Sequence, residues 1–187
     1  MAINDGRMDE SHEIYQMTNH GFISCPKCGS SSFLTRDMGR SFKCEECLFH
    51  YYINSSAAVA CLIFNASGEL LLTRRAFEPN KGMLDLPGGF VEPMESAEEA
   101  IIREIKEELN LHVTKMSYLV SYPNLYPYSN FVVPTVDLAY LCEVEGLDSL
   151  IPDDDVASIE FIRPENIDPK ALCANSMRQI IQFYLKK

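Results

Sequence analysis

The most constraining feature of the sequence is an acidic segment that follows a loop rich in glycine and proline. Between positions 92 and 108, seven glutamates stand against one arginine and one lysine. Ser96 is a typical N-cap residue, and apolar side chains recur at helical spacing at Ile101, Ile105 and Leu109. We therefore predict an amphipathic helix that runs from Ser96 to about Leu109 and turns an acidic side away from the core.

Three of these glutamates converge on one face of the predicted helix. Glu104, Glu107 and Glu108 have the spacing of helix neighbours. Like charges this close repel by about 0.2 to 0.5 kcal/mol per pair, so the cluster needs either solvation or a compensating cation. Hard divalent cations such as Mg²⁺ and Mn²⁺ prefer carboxylate oxygens. The spacing alone leaves two readings open, a solvated helix face and a metal site.

The residues around this cluster resemble a known signature. The run Gly89-x5-Glu95-x7-Arg103-Glu104-Ile105-x-Glu107-Glu108-x-Asn110-Leu111 is similar to the Nudix box, G-x5-E-x7-R-E-U-x-E-E-x-G-U, where U is aliphatic. Asn110 replaces the usual glycine, and asparagine is the other residue that readily adopts a left-handed C-cap. The resemblance implies an α/β fold for residues 55–187, a Nudix-type α/β/α sandwich with a mixed sheet.

The resemblance also implies an activity and its residues. Nudix enzymes hydrolyse the pyrophosphate bond of nucleoside diphosphate derivatives with Mg²⁺ or Mn²⁺, which makes Glu104, Glu107 and Glu108 the expected catalytic residues and metal ligands. The further metal contacts that it implies are the Gly88 carbonyl, Glu95 and Asp155. Arg103 is expected to hold a box carboxylate through a charge-assisted pair. The candidates for substrate binding are Phe90, Ser129, Arg74, Arg75 and Lys81.

A cysteine motif precedes the acidic helix. Cys25-x2-Cys28 and Cys44-x2-Cys47 are separated by fifteen residues, a spacing typical of two knuckles that hold one tetrahedral Zn²⁺. Residues 21–54 contain few aliphatic side chains, so a structural metal is the expected source of their stability. Four protein ligands leave no open position for water. We therefore predict a small zinc ribbon over residues 21–54.

A zinc ribbon before a Nudix domain resembles the NADH pyrophosphatase family. In that family Phe90 would stack on a ligand base, and Ser129 would match a serine that contacts the ligand. The segment Ser121–Ser129 keeps the prolines and the serine of the family motif, but Tyr122 and Asn124 replace its glutamine and tryptophan. NADH, NAD⁺, ADP-ribose and related dinucleotides all remain candidate substrates, each yielding mononucleotide products.

Further elements follow from periodicity and turn residues. Strands are predicted at residues 57–64, 69–75, 113–122, 132–144 and 158–162, and a second helix from about Pro169 to Leu185. Residues 1–20 lack periodicity and are expected to be mobile. Cys61, Cys142 and Cys173 lie in apolar stretches and are predicted to be core thiols.

Composition excludes several classes of protein. The net charge of −11 argues against a general nucleic-acid binder, and the longest apolar run is too short to cross a bilayer. We therefore expect a small nucleotide as the partner and the cytoplasm as the location. A homodimer is compatible with these two expectations. The alternative function is a non-catalytic Nudix module that senses a nucleotide or binds a partner, and the intact set of box glutamates argues against it.

Overall fold

The computed structural model describes residues 22–128, 131–150 and 156–187. The segment predicted to be mobile, residues 1–20, and the candidate site residues Ser129 and Asp155 lie outside this described part. The described residues form two compact units, one containing residues 22–55, 125–128 and 131–134 and the other containing residues 56–124, 135–150 and 156–187.

Nine strands and two α-helices occur in the described residues. The strands are β1 (Phe33–Arg36), β2 (Ser41–Cys44), β3 (His50–Tyr52), β4 (Ser56–Ile63), β5 (Leu70–Arg75), β6 (Leu84–Asp85), β7 (His112–Tyr128), β8 (Phe131–Glu145) and β9 (Val156–Ile162). The helices are α1 (Ala97–Leu109) and α2 (Asn175–Leu185). Neither of these two helices is long and apolar enough to cross a membrane.

The first unit contains a three-stranded antiparallel sheet in the order β1–β2–β3. Its core is small and made of aromatic rings and sulfur atoms rather than aliphatic side chains. Phe33 and Phe42 stack with ring centroids 5.3 Å apart, and the buried Cys25 and Cys44 complete the cluster. Such a core is too small to hold a fold of this size unaided, as the sequence predicts for a segment with few aliphatic residues.

The second unit is a sandwich built on two sheets, β4–β8–β7 and β6–β5–β9. β4 and β8 run parallel, whereas β5 is antiparallel to both of its neighbours, so the strands are mixed in direction. Alternate residues of β4 enter two different cores. Cys61 and Ile63 pack in the cluster that contains the apolar side of α1, while Ala60 and Leu62 pack in the cluster that contains α2. The predicted α/β/α sandwich is confirmed.

The prediction for the second helix begins too early. Pro169–Ala171 forms a single 3₁₀ turn capped by the Asp168 side chain, and α2 begins only at Asn175. Between these elements Leu172 forms a parallel bridge with Leu84, and the Cys173 N–H donates to the Leu84 carbonyl. The chain is therefore extended where the sequence pattern predicts helix, because pairing with β6 competes with helical hydrogen bonds.

Candidate functional site

Helix α1 carries the candidate catalytic glutamates, and both of its ends are fixed by its own sequence. At the N-terminus the Ser96 hydroxyl accepts from the Glu99 N–H and the Glu99 carboxylate accepts from the Ser96 N–H, which is a capping box. At the C-terminus Asn110 adopts a left-handed conformation with φ 54°. Ile101, Ile105 and Leu109 are fully buried on one side, so the register of the helix is set.

The three candidate catalytic carboxylates differ in exposure. Glu108 is only 6% exposed and Glu104 is largely buried, with 13% of its side chain accessible, whereas Glu107 is about half exposed. They lie on the side of α1 that faces the loop before it. This gradient leaves Glu107 as the carboxylate most accessible to a molecule arriving from solvent.

Arg103 connects the acidic groups of the box to the preceding loop. Its guanidinium donates to Glu95 through two nitrogens at 2.9 Å, and to Glu104 and Glu107 at 2.8 and 3.1 Å. It also donates to the carbonyl of Phe90 at 2.9 Å. The Arg103 guanidinium holds the pKa of Glu95 below its usual range. Arg103 thus pairs with box carboxylates, as the sequence predicts.

The loop Pro87–Val91 brings two glycines against these carboxylates. The N–H groups of Cys61 and Val59 donate to the carbonyls of Pro87 and Gly89, both at 2.8 Å. Because peptide groups alternate in direction along extended chain, the Gly88 N–H points away from β4 and donates to Glu108 Oε2 at 3.0 Å. Gly88 and the carboxylate of Glu108 are therefore neighbours.

Neither glycine leaves room for a side chain. A Cβ atom at Gly88 would lie 2.2 Å from the carbonyl oxygen of Val59, and its φ of +138° disfavours other residues. A Cβ atom at Gly89 would instead lie 2.4 Å from Oε1 of Glu104. The pair Gly88-Gly89 is therefore required for the close approach of the loop to the helix.

A polar cleft opens beside Glu108. Its lining consists of Thr73, Arg75, Asp85, Leu86, Gly88, Glu108 and Val156. Within it, Arg75 NH1 donates to Asp85 Oδ2 at 3.0 Å and Arg75 Nε donates to the Pro79 carbonyl at 2.8 Å. Burial raises the pKa of the Asp85 carboxyl group. Arg75 is thus held in place at the cleft that Glu108 lines.

The other candidate phosphate ligands lie in different surroundings. Arg74 contacts the carboxylate of Glu160 through two nitrogens and the Gly82 carbonyl through the third. Lys81 is exposed. Asp85 and Glu160, which position the two arginines, were missed by sequence reasoning. Only the pairing of the strands reveals these two acids. Arg74 pairs with Leu84, which precedes Asp85, and with Ser158, which lies two residues before Glu160.

The sulfur atoms of the remaining cysteines are not all equivalent. Cys61 and Cys142 are buried in the core on the α1 side, as predicted, and a hydrogen bond with Cys142 together with burial raises the pKa of the Cys61 thiol. Cys173 is only partly buried. Desolvation and the neighbouring Asp85 carboxylate raise the pKa of its thiol.

The four cysteines of the ribbon converge at one point. Their sulfur atoms all lie within 4.8 Å of one another, with Cys25–Cys47 and Cys28–Cys44 separations of 3.7 and 3.6 Å. A tetrahedral Zn²⁺ with Zn–S bonds of about 2.3 Å requires sulfur atoms about 3.8 Å apart. A disulfide bond would place its two sulfur atoms about 2.05 Å apart. The geometry therefore fits a tetrahedral zinc ion.

The backbone of the knuckles favours thiolate. The N–H groups of Cys47 and Glu46 lower the pKa of Cys44 to about 7. Gly29 and Leu48, which each follow the second cysteine of a pair, both have positive φ, at 76° and 59°. The two halves of the site thus share one local conformation, as expected for two knuckles that hold one ion.

The glutamate oxygens fit a harder cation. Among the described residues, only the four cysteines bring three or more ligand atoms this close together. Arg103 lies between Glu104 and Glu107 and donates to both. Carboxylate and carbonyl oxygens suit Mg²⁺ or Mn²⁺, which bind few protein oxygens directly and keep several waters. The donor set of Glu104, Glu107, Glu108 and Gly88 therefore matches such an ion in chemistry.

Comparison with known proteins gives the family. The NUDIX domain model matches residues 54–184. NAD-capped RNA hydrolase NudC of Pseudomonas aeruginosa is 24% identical over 163 residues, which cover 87% of this chain and 55% of that protein. ADP-ribose pyrophosphatase of Methanocaldococcus jannaschii is 33% identical over 140 residues, which cover 74% of this chain and 78% of that protein. The chain thus spans about half the length of the first of these relatives.

Solved structures agree on the fold. A NUDIX hydrolase from Nitrosomonas europaea superposes with a TM-score of 0.62 at 20% identity, covering 87% of this chain and 90% of that one. MutT NUDIX hydrolase from Burkholderia pseudomallei gives a TM-score of 0.59 at 21% identity, covering 69% of this chain and 97% of that one. The match to the NUDIX family covers most of the chain, including the loop, the helix and the carboxylates described above. The chain therefore belongs to the NUDIX domain family.

Proposed function

We propose that the chain hydrolyses the pyrophosphate bond of a nucleoside diphosphate derivative and releases mononucleotides. The observation that carries this proposal is that Glu104 and Glu108 lie against the Gly88-Gly89 loop, while Glu107 is joined to Glu104 through Arg103. Hard-cation donors are thereby placed beside a cleft that also contains a fixed arginine. A pyrophosphate needs both features, metal-directed oxygens and a cationic contact.

Each residue has a defined part in this proposal. Glu104, Glu107 and Glu108 with the Gly88 carbonyl would hold Mg²⁺ or Mn²⁺. When bound, such an ion lowers the pKa of a coordinated water and neutralises charge on the bridging phosphate oxygen. Glu107, the most exposed of the three, is the carboxylate that can orient the attacking water and accept its proton. Glu95 contributes through Arg103, and Asp155 is proposed as a further ligand by its place in the family pattern.

Substrate contacts follow from the cleft and its rim. Arg75, held by Asp85 and Pro79, is the better placed candidate for a phosphate contact. Arg74 is engaged by Glu160 and Gly82, and the exposed Lys81 would act from the rim. Phe90 is 39% exposed and its carbonyl accepts from Arg103, and its ring is proposed to stack on a ligand base from the family pattern. Ser129 is proposed as a ligand contact from the family motif.

The extent of similarity favours a substrate related to NAD. Any 163 consecutive residues of this chain include residues 25–163, so the match to NAD-capped RNA hydrolase NudC extends across the ribbon cysteines. The match to ADP-ribose pyrophosphatase covers less of the chain, 74% against 87%. Since that relative is named for its action on NAD-capped RNA, NAD(H), free or at an RNA 5′ end, is the first substrate to test.

The test is a substrate panel with product identification. The zinc-loaded chain is incubated with Mg²⁺ or Mn²⁺ and NADH, NAD⁺, ADP-ribose or an NAD-capped oligonucleotide, in water labelled with oxygen-18. We expect mononucleotide products, with one labelled oxygen on a phosphate, because water attacks phosphorus. Tight binding of one compound without turnover of any would overturn the proposal in favour of a non-catalytic nucleotide sensor.

A further inference from the structure

The loop between β5 and β6, residues 76–83, holds one edge of the Arg75 guanidinium. The Pro79 carbonyl of this loop accepts from Arg75 Nε at 2.8 Å. Asp85 holds NH1 of the same guanidinium at 3.0 Å, and its other carboxylate oxygen accepts from the Leu86 N–H at 2.9 Å. Asp85 is thus fixed by β6 and its neighbour, whereas the direction of Nε depends on where the loop places the Pro79 carbonyl.

The β5–β6 loop is poorly packed. None of its residues is buried, and Phe77 is 63% exposed. Backbone hydrogen bonds from Arg75 to Gly82 and Met83 close the base of the loop. A segment with few buried contacts opens readily. The position of Pro79 therefore depends on a contact from the loop to the rest of the catalytic domain.

The side chain of Asn80 makes such a contact with the chain that precedes α2. Asn80 Nδ2 donates to the Cys173 carbonyl at 3.0 Å. Cys173 is held in turn, since its N–H donates to the Leu84 carbonyl at 2.9 Å and the adjacent Leu172 is only 1% exposed in the core. The Asn80 amide thus ties the exposed loop to a segment that core packing fixes.

We propose that Asn80 is a positioning residue, which holds the Pro79 carbonyl, and through it the Arg75 guanidinium, in place for a phosphate of the substrate. This inference rests on the proposed function in one respect, the phosphate contact of Arg75. Arg75 lines the cleft beside Glu108. A guanidinium that is fixed in advance loses little freedom when a phosphate binds, so the entropic cost of binding is small.

The backbone conformation of the loop also favours asparagine at this position. Asn80 has a φ of 64°, a left-handed conformation that asparagine adopts more readily than most residues. Glycine adopts the same conformation without steric cost but has no amide group. Asn80→Gly therefore removes the contact with Cys173 and keeps the backbone of the loop.

The test measures affinity for a diphosphate analogue that cannot be hydrolysed. Methylenediphosphonate is titrated by calorimetry into the full zinc-loaded chain with Mg²⁺, so the readout needs no turnover. We expect Asn80→Gly to weaken binding by about 2- to 10-fold, the effect of leaving one long side chain to be ordered by the ligand. With the substrate found in the panel, KM should rise by the same factor while kcat stays within about twofold of wild type, because no group at the reacting phosphorus is changed.

A second substitution shows whether Asn80 acts through Arg75. Arg75→Lys keeps a positive charge for Asp85, but a single ammonium cannot contact Asp85 and the Pro79 carbonyl through two separate nitrogens. In that background Asn80→Gly should have no further effect on affinity, because the contact that it supports is already lost. A role confined to the stability of the loop would instead give the same loss in both backgrounds.

The matched control is Asn65→Gly, the same change in the turn before β5. The Asn65 side chain bonds to Ser67 and Glu69 within that turn, so this variant should melt at a lower temperature and bind methylenediphosphonate as wild type does. The proposal is overturned if Asn80→Gly binds as tightly as wild type, if its effect persists in Arg75→Lys, or if the unmodified chain does not bind the diphosphonate. Coupling between Asn80 and Arg75 in a chain that hydrolyses no compound of the panel would support the positioning role and contradict only the proposed hydrolysis.

Discussion

The carboxylate of Glu104 lies so close to Gly89 that a Cβ atom on Gly89 would be 2.4 Å from Glu104 Oε1. The clash of Gly89→Ala would fall on a carboxylate and not on backbone, so the fold should survive while Glu104 moves. We expect turnover to fall by about 100-fold, the effect of misplacing a catalytic group by about 1 Å. Steady-state kinetics and a thermal melt would check this. Normal turnover would show that Glu104 has no fixed position in the reaction.

Gly88→Ala is the matched control for Gly89→Ala, because its clash falls on backbone. The added Cβ would meet the carbonyl oxygen of Val59 at 2.2 Å, and alanine disfavours a φ of +138°. The control should therefore lose stability, by more than about 2 kcal/mol in urea denaturation. A Gly88→Ala protein as stable as Gly89→Ala would contradict the observed packing of the loop on β4.

Glu107→Gln and Glu108→Gln should each reduce turnover by at least about 100-fold while the fold is kept. Both changes preserve side-chain volume, and the new amide oxygen at position 108 can still accept from the Gly88 N–H. The matched control is Glu92→Gln, an exposed glutamate of the same loop and helix region that is not a fixed position of the box. Hydrolysis of the substrate found in the panel is the measurement, and equal rates for Glu107→Gln and the control would remove Glu107 from the mechanism.

Cys44→Ser should unfold the ribbon. Binding of structural zinc contributes about 10 to 16 kcal/mol of apparent folding free energy in small domains, which the few aromatic side chains around Cys44 cannot replace. We expect loss of the one bound zinc, and new proteolytic cleavage within residues 22–54. Cys173→Ser, in the other unit, should keep its zinc. Full zinc content in Cys44→Ser would mean that the four cysteines do not form a single site.

The sequence predicts α1 and its ends well because every signal is local. Ser96, the buried stripe and Asn110 all lie within the helix or beside it, and the observed helix runs from Ala97 to Leu109. Strand β7 extends to Tyr128, six residues past the predicted end, and contains Pro123 and Pro127. β7 lies at the edge of its sheet, where a proline need not break a ladder hydrogen bond.

The candidate site divides in the same way between local and long-range information. Glu104, Glu107 and Glu108 are identifiable because they lie within about one turn of helix. The Arg75–Asp85 pair and the Arg74–Glu160 pair depend on which strands flank β5. Strand order is a property of the whole fold, and a single sequence contains no direct signal for it.

Tyr140→Phe should destabilise the protein in a pH-dependent manner. The Tyr140 hydroxyl donates to Glu98 at 2.8 Å and lowers the pKa of this carboxyl group, while burial raises the pKa of Tyr140 itself to about 12. A depressed carboxyl pKa stabilises the folded state above the unfolded value of about 4.3 and ceases to do so as the pH falls through the folded value. We expect a lower melting temperature than wild type at about pH 7, with the difference shrinking toward about pH 3. Tyr118→Phe, on a ring that packs edge-on against Tyr140, should lack this trend.

Asn110 is the one position at which the sequence departs from the Nudix box, and substitutions there test what this departure costs. It ends α1 at φ 54°, and its side-chain oxygen accepts from Lys106 Nζ at 2.5 Å. Glycine adopts this conformation without steric cost but loses the side-chain contact, so Asn110→Gly should change the free energy of unfolding by no more than about 0.5 kcal/mol. Asn110→Ala should lose about 1 to 2 kcal/mol, since a left-handed conformation strains its Cβ. Urea denaturation of the two variants beside wild type is the measurement. If alanine proved as stable as glycine, the left-handed cap would not be what ends this helix, and the position of Glu107 and Glu108 would depend on core packing alone.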